Sequence, residues 1–165
     1  MSESVKPAGS SDALTWAILG AVVCGCVGWF GPEVFRIIEP FVHWPVRSAA
    51  AGWSSDPATQ TAIGALATNI VTGLAVSLVA AFLETVARRR FSPLGIGCWL
   101  LTGVFAGALY WSIISIISLY LYQQDDFYPH LLWSGIWTLI GAIAGSDLSV
   151  LLHEQRTPKT PSTSP

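Results

Sequence analysis

Three side chains stand out for the chemistry they could do where they lie: Asn69, Glu84 and Asp147, each inside or at the edge of a long apolar run. A strongly polar or ionisable group in hydrocarbon is costly, so a functional role is the first question to ask of it. Asn69 has Thr68 and Thr72 beside it, and Ser77 and Glu84 fall within reach of its stripe on a helix. Such a set could line a polar path. The plainer reading, which ranks first, is an interhelical hydrogen bond that sets helix register and contributes about 1 kcal/mol.

Asp147 is the acid of the last apolar run, near its end. It is expected to pair with Arg88, Arg89 or Arg90, or to accept hydrogen bonds from Ser146 and Ser149; a proton carrier is the sharper alternative. Ser112, Ser115 and Ser118 form a row that ends near Tyr122. Serines can line a pore, but they also bond back to their own helix at little cost, and that reading is preferred. Asp147, His153 and Glu154 are the one nearby trio for an intramembrane enzyme. A solvated helix end explains them equally well.

Other chemistry finds little support. Cys24 and Cys26 form a C-x-C at mid-depth and Cys98 lies near the inner interface, so all three read as small packing residues. Glu33, Glu39, Asp56, Asp125 and Asp126, with His43 and His130, are scattered over two loops without a recognised metal spacing. No nucleotide loop, zinc helix or nucleophile elbow occurs. Neither a catalytic set, nor a cofactor, nor a metal site is expected, and the net charge of −2 gives no reason to expect nucleic acid.

The elements that position these residues follow from composition. Hydrophobic residues make up 52% and charged residues 11% of 165, against roughly a quarter charged in a soluble domain. Mean hydropathy is +0.56. Crossing a bilayer takes about 20 apolar helical residues, and the apolar runs are continuous rather than alternating. The expected fold is therefore an all-α membrane protein. Four transmembrane helices at about 13–30, 62–83, 94–122 and 131–152 form a small bundle, with a short interfacial helical segment between the first two.

Boundary residues agree with this division. Asp12 reads as the first N-cap, and Gly31-Pro32 as the first stop. Asp56 before Pro57 and Ser92 before Pro93 place a capping side chain ahead of a proline at the first helical position. Pro129 precedes the fourth run. One alternative is that the first run is a signal sequence cleaved before Cys26, leaving three spans and a lipid-anchored cysteine; Asp12 against the apolar run argues the other way. Residues 1–12 and 153–165 read as disordered tails.

Six of the eight Lys and Arg (Lys6, Arg88, Arg89, Arg90, Arg156, Lys159) fall on one side of a four-span arrangement, and Arg36 and Arg47 on the other. The positive-inside rule then makes both termini cytoplasmic, with Arg88, Arg89 and Arg90 as the charge anchor. Trp16, Phe91 and Trp99 fall at the inner interface. Trp29, Phe30, Tyr120, Tyr122, Phe127, Tyr128 and Trp133 fall at the outer one.

Residues 31–55 mix Phe35, Ile37, Ile38, Phe41, Trp44 and Trp53 with Glu33, Glu39, Arg36, His43 and Arg47. That mixture suits a segment lying in the interface, expected as two short helices with a break at Pro40 and a restart at Pro45. A loop folded back over the bundle and a partner-binding lid are the alternatives.

Small residues allow helix backbones to approach in lipid. Gly20, Cys24 and Gly28, then Gly73, Gly103 and Gly107, then Gly141 and Gly145 mark such faces. The function expected from all this is a non-enzymatic accessory, assembly or anchoring bundle. Its partners would be the lipid bilayer and either further copies of itself or another membrane protein. The alternative is a small oligomeric transporter or channel lined by Asn69, Thr72, Ser77, Glu84, Ser112, Ser115 and Asp147. A bacterial plasma membrane is the expected location.

Overall fold

The computed structural model describes residues 10–88, 91–120 and 127–156, with the backbone alone for 10–12, 88, 119, 120, 127 and 149–156. Five helices and no strand occur among the described residues: α1 (Ser10–Trp29), α2 (Gly31–Ala50), α3 (Pro57–Arg88), α4 (Pro93–Tyr120) and α5 (Phe127–Arg156). Three stretches are long and apolar enough to cross a membrane, Pro57–Ala87, Pro93–Ser118 and Tyr128–Leu148. A fourth crossing is complete if Ala13–Trp29 and Gly31–Ala50, bent by 44° at their junction, form one broken span. The chain is thus an all-α, multi-pass membrane bundle.

The local reasons are legible. Asp56 accepts the backbone N–H groups of Ala58 (3.2 Å) and Thr59 (3.0 Å), which caps α3 as its position before Pro57 requires. Ser92 Oγ does the same for Gly95 N–H at 3.3 Å. α1 begins at Ser10, which puts Asp12 inside the first turn rather than at the cap. α5 begins at Phe127 and runs on to Arg156, past the expected start of the tail.

The 31–55 segment departs most from expectation. α2 is one continuous helix of 20 residues with Pro40 and Pro45 inside it, not two short ones. Both prolines lie on its exposed side. A proline removes one intrahelical bond and crowds the carbonyl four residues back; at an outward position the helix can give without losing its seat. The seat is α3: a Cβ built on Gly64 would lie 2.9 Å from the His43 carbonyl. α2 therefore folds back on the bundle and turns Ile37, Phe41 and Trp44 outward, each well over half exposed.

Packing divides the molecule into two parts. α1 lies antiparallel along α5, and α3 lies along α4 with α2 against α3's first half. In both main pairs the backbones touch. A Cβ on Gly20 would collide with the carbonyl of Gly141, and one on Gly145 with the carbonyl of Trp16. Gly73 meets the Gly103 carbonyl, and Gly107 the carbonyl of Asn69. Cys24 is buried against Gly141. Gly28 packs on Trp137.

The two parts meet chiefly through aromatic rings. Tyr110 of α4 stacks on Trp133 of α5 at 4.5 Å between centroids, and Trp99 on Trp137 at 6.4 Å. Trp133 and Trp137 are fully buried. Trp133 is therefore a core residue, not a member of an interfacial belt. Gly31 makes the niche for it, since a Cβ there would lie 2.7 Å from the indole ring. The remaining apolar surface, including Leu14, Ile18 and Val22 along α1, faces outward as lipid-exposed helices do.

Candidate functional site

At the end of the bundle that holds the α3–α4 turn, the two parts separate and leave a cavity of about 620 Å³ between α3, α4 and α5. Its walls are apolar, with Ile96, Trp99 and Phe105 from α4 and Ile140, Ile143 and Leu148 from α5. Glu84 enters from α3 and Asp147 from α5, so the structure brings both acids of the apolar runs to one space. Thr85, Cys98 and Thr102 add weak polar groups. No Lys, Arg or His among the described residues lines it.

The two acids are held differently. Glu84 is half-buried and its carboxylate accepts the indole N–H of Trp99, a bond that ties α3 to α4. Asp147 is exposed to the space and makes no hydrogen bond or ion pair among the described residues. The side chain of Ser149, one of its expected donors, lies outside the described residues. Of its other expected partners, Arg89, Arg90 and the side chain of Arg88 lie outside them. So do the side chains of His153 and Glu154.

The remaining polar candidates do not join this space. Thr68, Asn69, Thr72 and Ser77 are buried, and each is bonded to its own helix. Thr68 Oγ1 donates to Gly64 O, Thr72 Oγ1 to Thr68 O, and Ser77 Oγ to Leu74 O, all within 2.9 Å. Asn69 Nδ2 donates to Ala65 O at 2.8 Å, while its Oδ1 is buried without a partner among the described residues. The expected interhelical bond is thus an intrahelical one, because the α3–α4 backbones are too close at Gly107 to admit an amide reaching across. Ser112 is exposed and bonds back to Ala108 O, and Ser115 is half-buried. Cys26 and Cys98 are exposed, so of the three cysteines only Cys24 packs in the core.

A second polar cluster sits at the α1–α2 bend. His130 Nδ1–H donates to the Trp29 carbonyl at 2.9 Å, its ring lies 5.2 Å from the Trp29 indole, and its Nε2 is 3.5 Å from Glu33. Glu33 and His130 were scattered outer residues in the sequence; α5 brings them together across the bend. Among the described residues no group of three His, Cys, Asp or Glu converges as a metal site would require. Sequence reasoning missed the cavity because its walls come from three helices whose relative angle no single helix encodes. Comparison with family models, curated proteins and solved structures finds no match for this chain.

Proposed function

We propose that this chain is a non-enzymatic membrane bundle that works by packing, as an accessory, assembly or anchoring protein for a membrane partner or for further copies of itself. The observation that carries this reading is the closed α3–α4 seam. Thr68, Asn69, Thr72 and Ser77 are all at most 4% exposed, between backbones that touch at Gly73–Gly103. Polar residues used in packing leave no water path through the α3–α4 seam among the described residues. The outward face of α2 adds a large apolar surface for a partner or for lipid. The charge asymmetry supports cytoplasmic termini, and a bacterial plasma membrane is the location we propose. The test is mild-detergent purification of the tagged chain with crosslinking and mass spectrometry. A stoichiometric foreign partner is the expected result, and intrinsic flux or turnover by the purified chain would refute the reading.

One observation favours a second reading, a small transporter or channel: the cavity that collects Glu84 and Asp147 at one end. Flux in reconstituted vesicles that disappears on Asp147→Asn would establish it. Flux that survives that change would remove the one feature in its favour.

A further inference from the structure

The cavity between α3, α4 and α5 carries more than a place for a path to begin. We propose that it is a binding site for a cationic amphiphile, a molecule with one positively charged nitrogen on an apolar body. Size permits this, since 620 Å³ falls within the roughly 300–1,000 Å³ of small-molecule sites. The walls select an apolar body: Ile96, Phe105, Ile140 and Ile143 offer no hydrogen bond. The polar groups select the charge. Two carboxylates line the space from different walls, Glu84 on α3 and Asp147 on α5, and among the described residues no Lys, Arg or His joins them.

Asp147 is the head-group residue. Glu84 is already engaged by the Trp99 indole and has Arg88 one turn further along α3, so the assignment does not depend on it. Asp147 stands on the other wall and makes no bond among the described residues. An ionised carboxylate against apolar walls is stabilised by a cation brought to it, and a hydrocarbon tail alone does nothing for it. Trp99 supplies the third element. Its ring lines the same space, and the face of an indole attracts an organic cation. A neutral amphiphile would satisfy the walls but not Asp147, and an anion would meet both carboxylates.

The same chemistry could come from a soluble organic amine or from the amine head group of a membrane lipid, and the experiment separates them. Binding of benzyltriethylammonium to the full-length purified chain is measured by titration calorimetry, with N-benzylacetamide as the neutral control. Saturable binding of the cation, absence of binding by the control, and at least a tenfold weakening in Asp147→Asn and in Trp99→Leu are expected. Asp147→Glu should restore most of the affinity, which a merely misfolded Asn variant could not explain.

Repeating the titration in nanodiscs of phosphatidylglycerol and of phosphatidylethanolamine, in high salt so that the anionic lipid surface does not itself concentrate the cation, identifies the source. Equal affinity in both supports a soluble ligand. Weaker apparent affinity in phosphatidylethanolamine supports a lipid head group already in place. Equal binding of the neutral control, full affinity in Asp147→Asn, or no saturable binding would overturn the proposal; the last is also what a site filled by a partner helix would give. Binding rather than flux is read, so the outcome is independent of the accessory and transporter readings.

Discussion

At the residue scale the glycines of α5 show how much one methyl group can decide. A Cβ at Gly135 would meet nothing within 4 Å, whereas one at Gly141 would strike the Gly20 carbonyl. Gly135→Ala should therefore be neutral or stabilising by up to about 1 kcal/mol, the helix propensity difference. Gly141→Ala, on the same helix and with the same change in propensity, should destabilise by about 1–3 kcal/mol because backbone must move. Reversible unfolding in mixed detergent checks the pair, and equal effects would mean that α1 and α5 do not touch there. The seams on which Gly20, Gly73, Gly103, Gly107, Gly141 and Gly145 lie were legible from four-residue spacing, because close approach in lipid demands small residues at that period. The role of Trp133 was not. A tryptophan near the end of an apolar run reads as an interfacial anchor, and only the pairing with Gly31 on another helix makes a buried niche for it. That information belongs to two helices at once.

At the element scale, α2 and the start of α3 form a unit tied at both ends. At the bend between α1 and α2 the Trp29 carbonyl accepts a hydrogen bond from His130 Nδ1–H of α5. Removing that donor in His130→Ala should widen the distribution of α1–α2 angles. Distances between spin labels at Val22 and Ser48, both exposed, measure this by pulsed electron resonance once the cysteines are replaced. Glu33→Gln should have much the smaller effect. Its 3.5 Å pairing with His130 is half-exposed, and such pairs contribute from nothing to about 1 kcal/mol. Distributions unchanged in His130→Ala would show that packing of α2 on α3 alone sets the bend.

The other end of the unit is set by Asp56. Hydrogen bonds from the Thr59 hydroxyl, then from the backbone N–H groups of Thr59 and Ala58, hold its carboxyl below the usual carboxylate value. A lowered folded-state value means that the cap stabilises α3 fully above the ordinary range of an aspartate. The contribution is lost as pH falls through the lowered value. The start of α3 should thus loosen only in strong acid, and Asp56→Ser, which caps without a charge, should remove that part of the pH dependence. Amide exchange at Ala58 and Thr59 across an acid series reads the effect directly. This cap was legible in the sequence from Asp56-Pro57. The continuity of α2 was not, because local rules make Pro40 a stop and only the support of α3 along the opposite side keeps the helix whole.

At the scale of the whole molecule, the three to four membrane-crossing helices followed from run length and hydropathy, but the division into α1–α5 and α2–α3–α4 did not. Lipid-facing and protein-facing sides of such apolar helices look alike in composition, so which pairs form is decided by fit. The fit between the two parts is mostly aromatic. Trp133 touches Tyr110 of α4 and Gly31 at the start of α2 while belonging to α5, which makes it the main joint between them. Trp133→Ala should destabilise by about 3–5 kcal/mol, as truncation of a buried aromatic does, and the loss should be uneven. The glycine seams of each part stay intact, so the parts should come apart before either unravels. Hydrogen exchange in nanodiscs should then show α1 and α5 amides opening together and separately from those of α3 and α4, where the native chain opens as one. Trp133→Phe, which keeps a ring on Tyr110, should fall between. Uniform acceleration across all helices in the alanine variant would mean that the parts cooperate through contacts other than this joint. The cavity between α3, α4 and α5 would then have to be regarded as a fixed gap rather than as the place where two separable parts diverge.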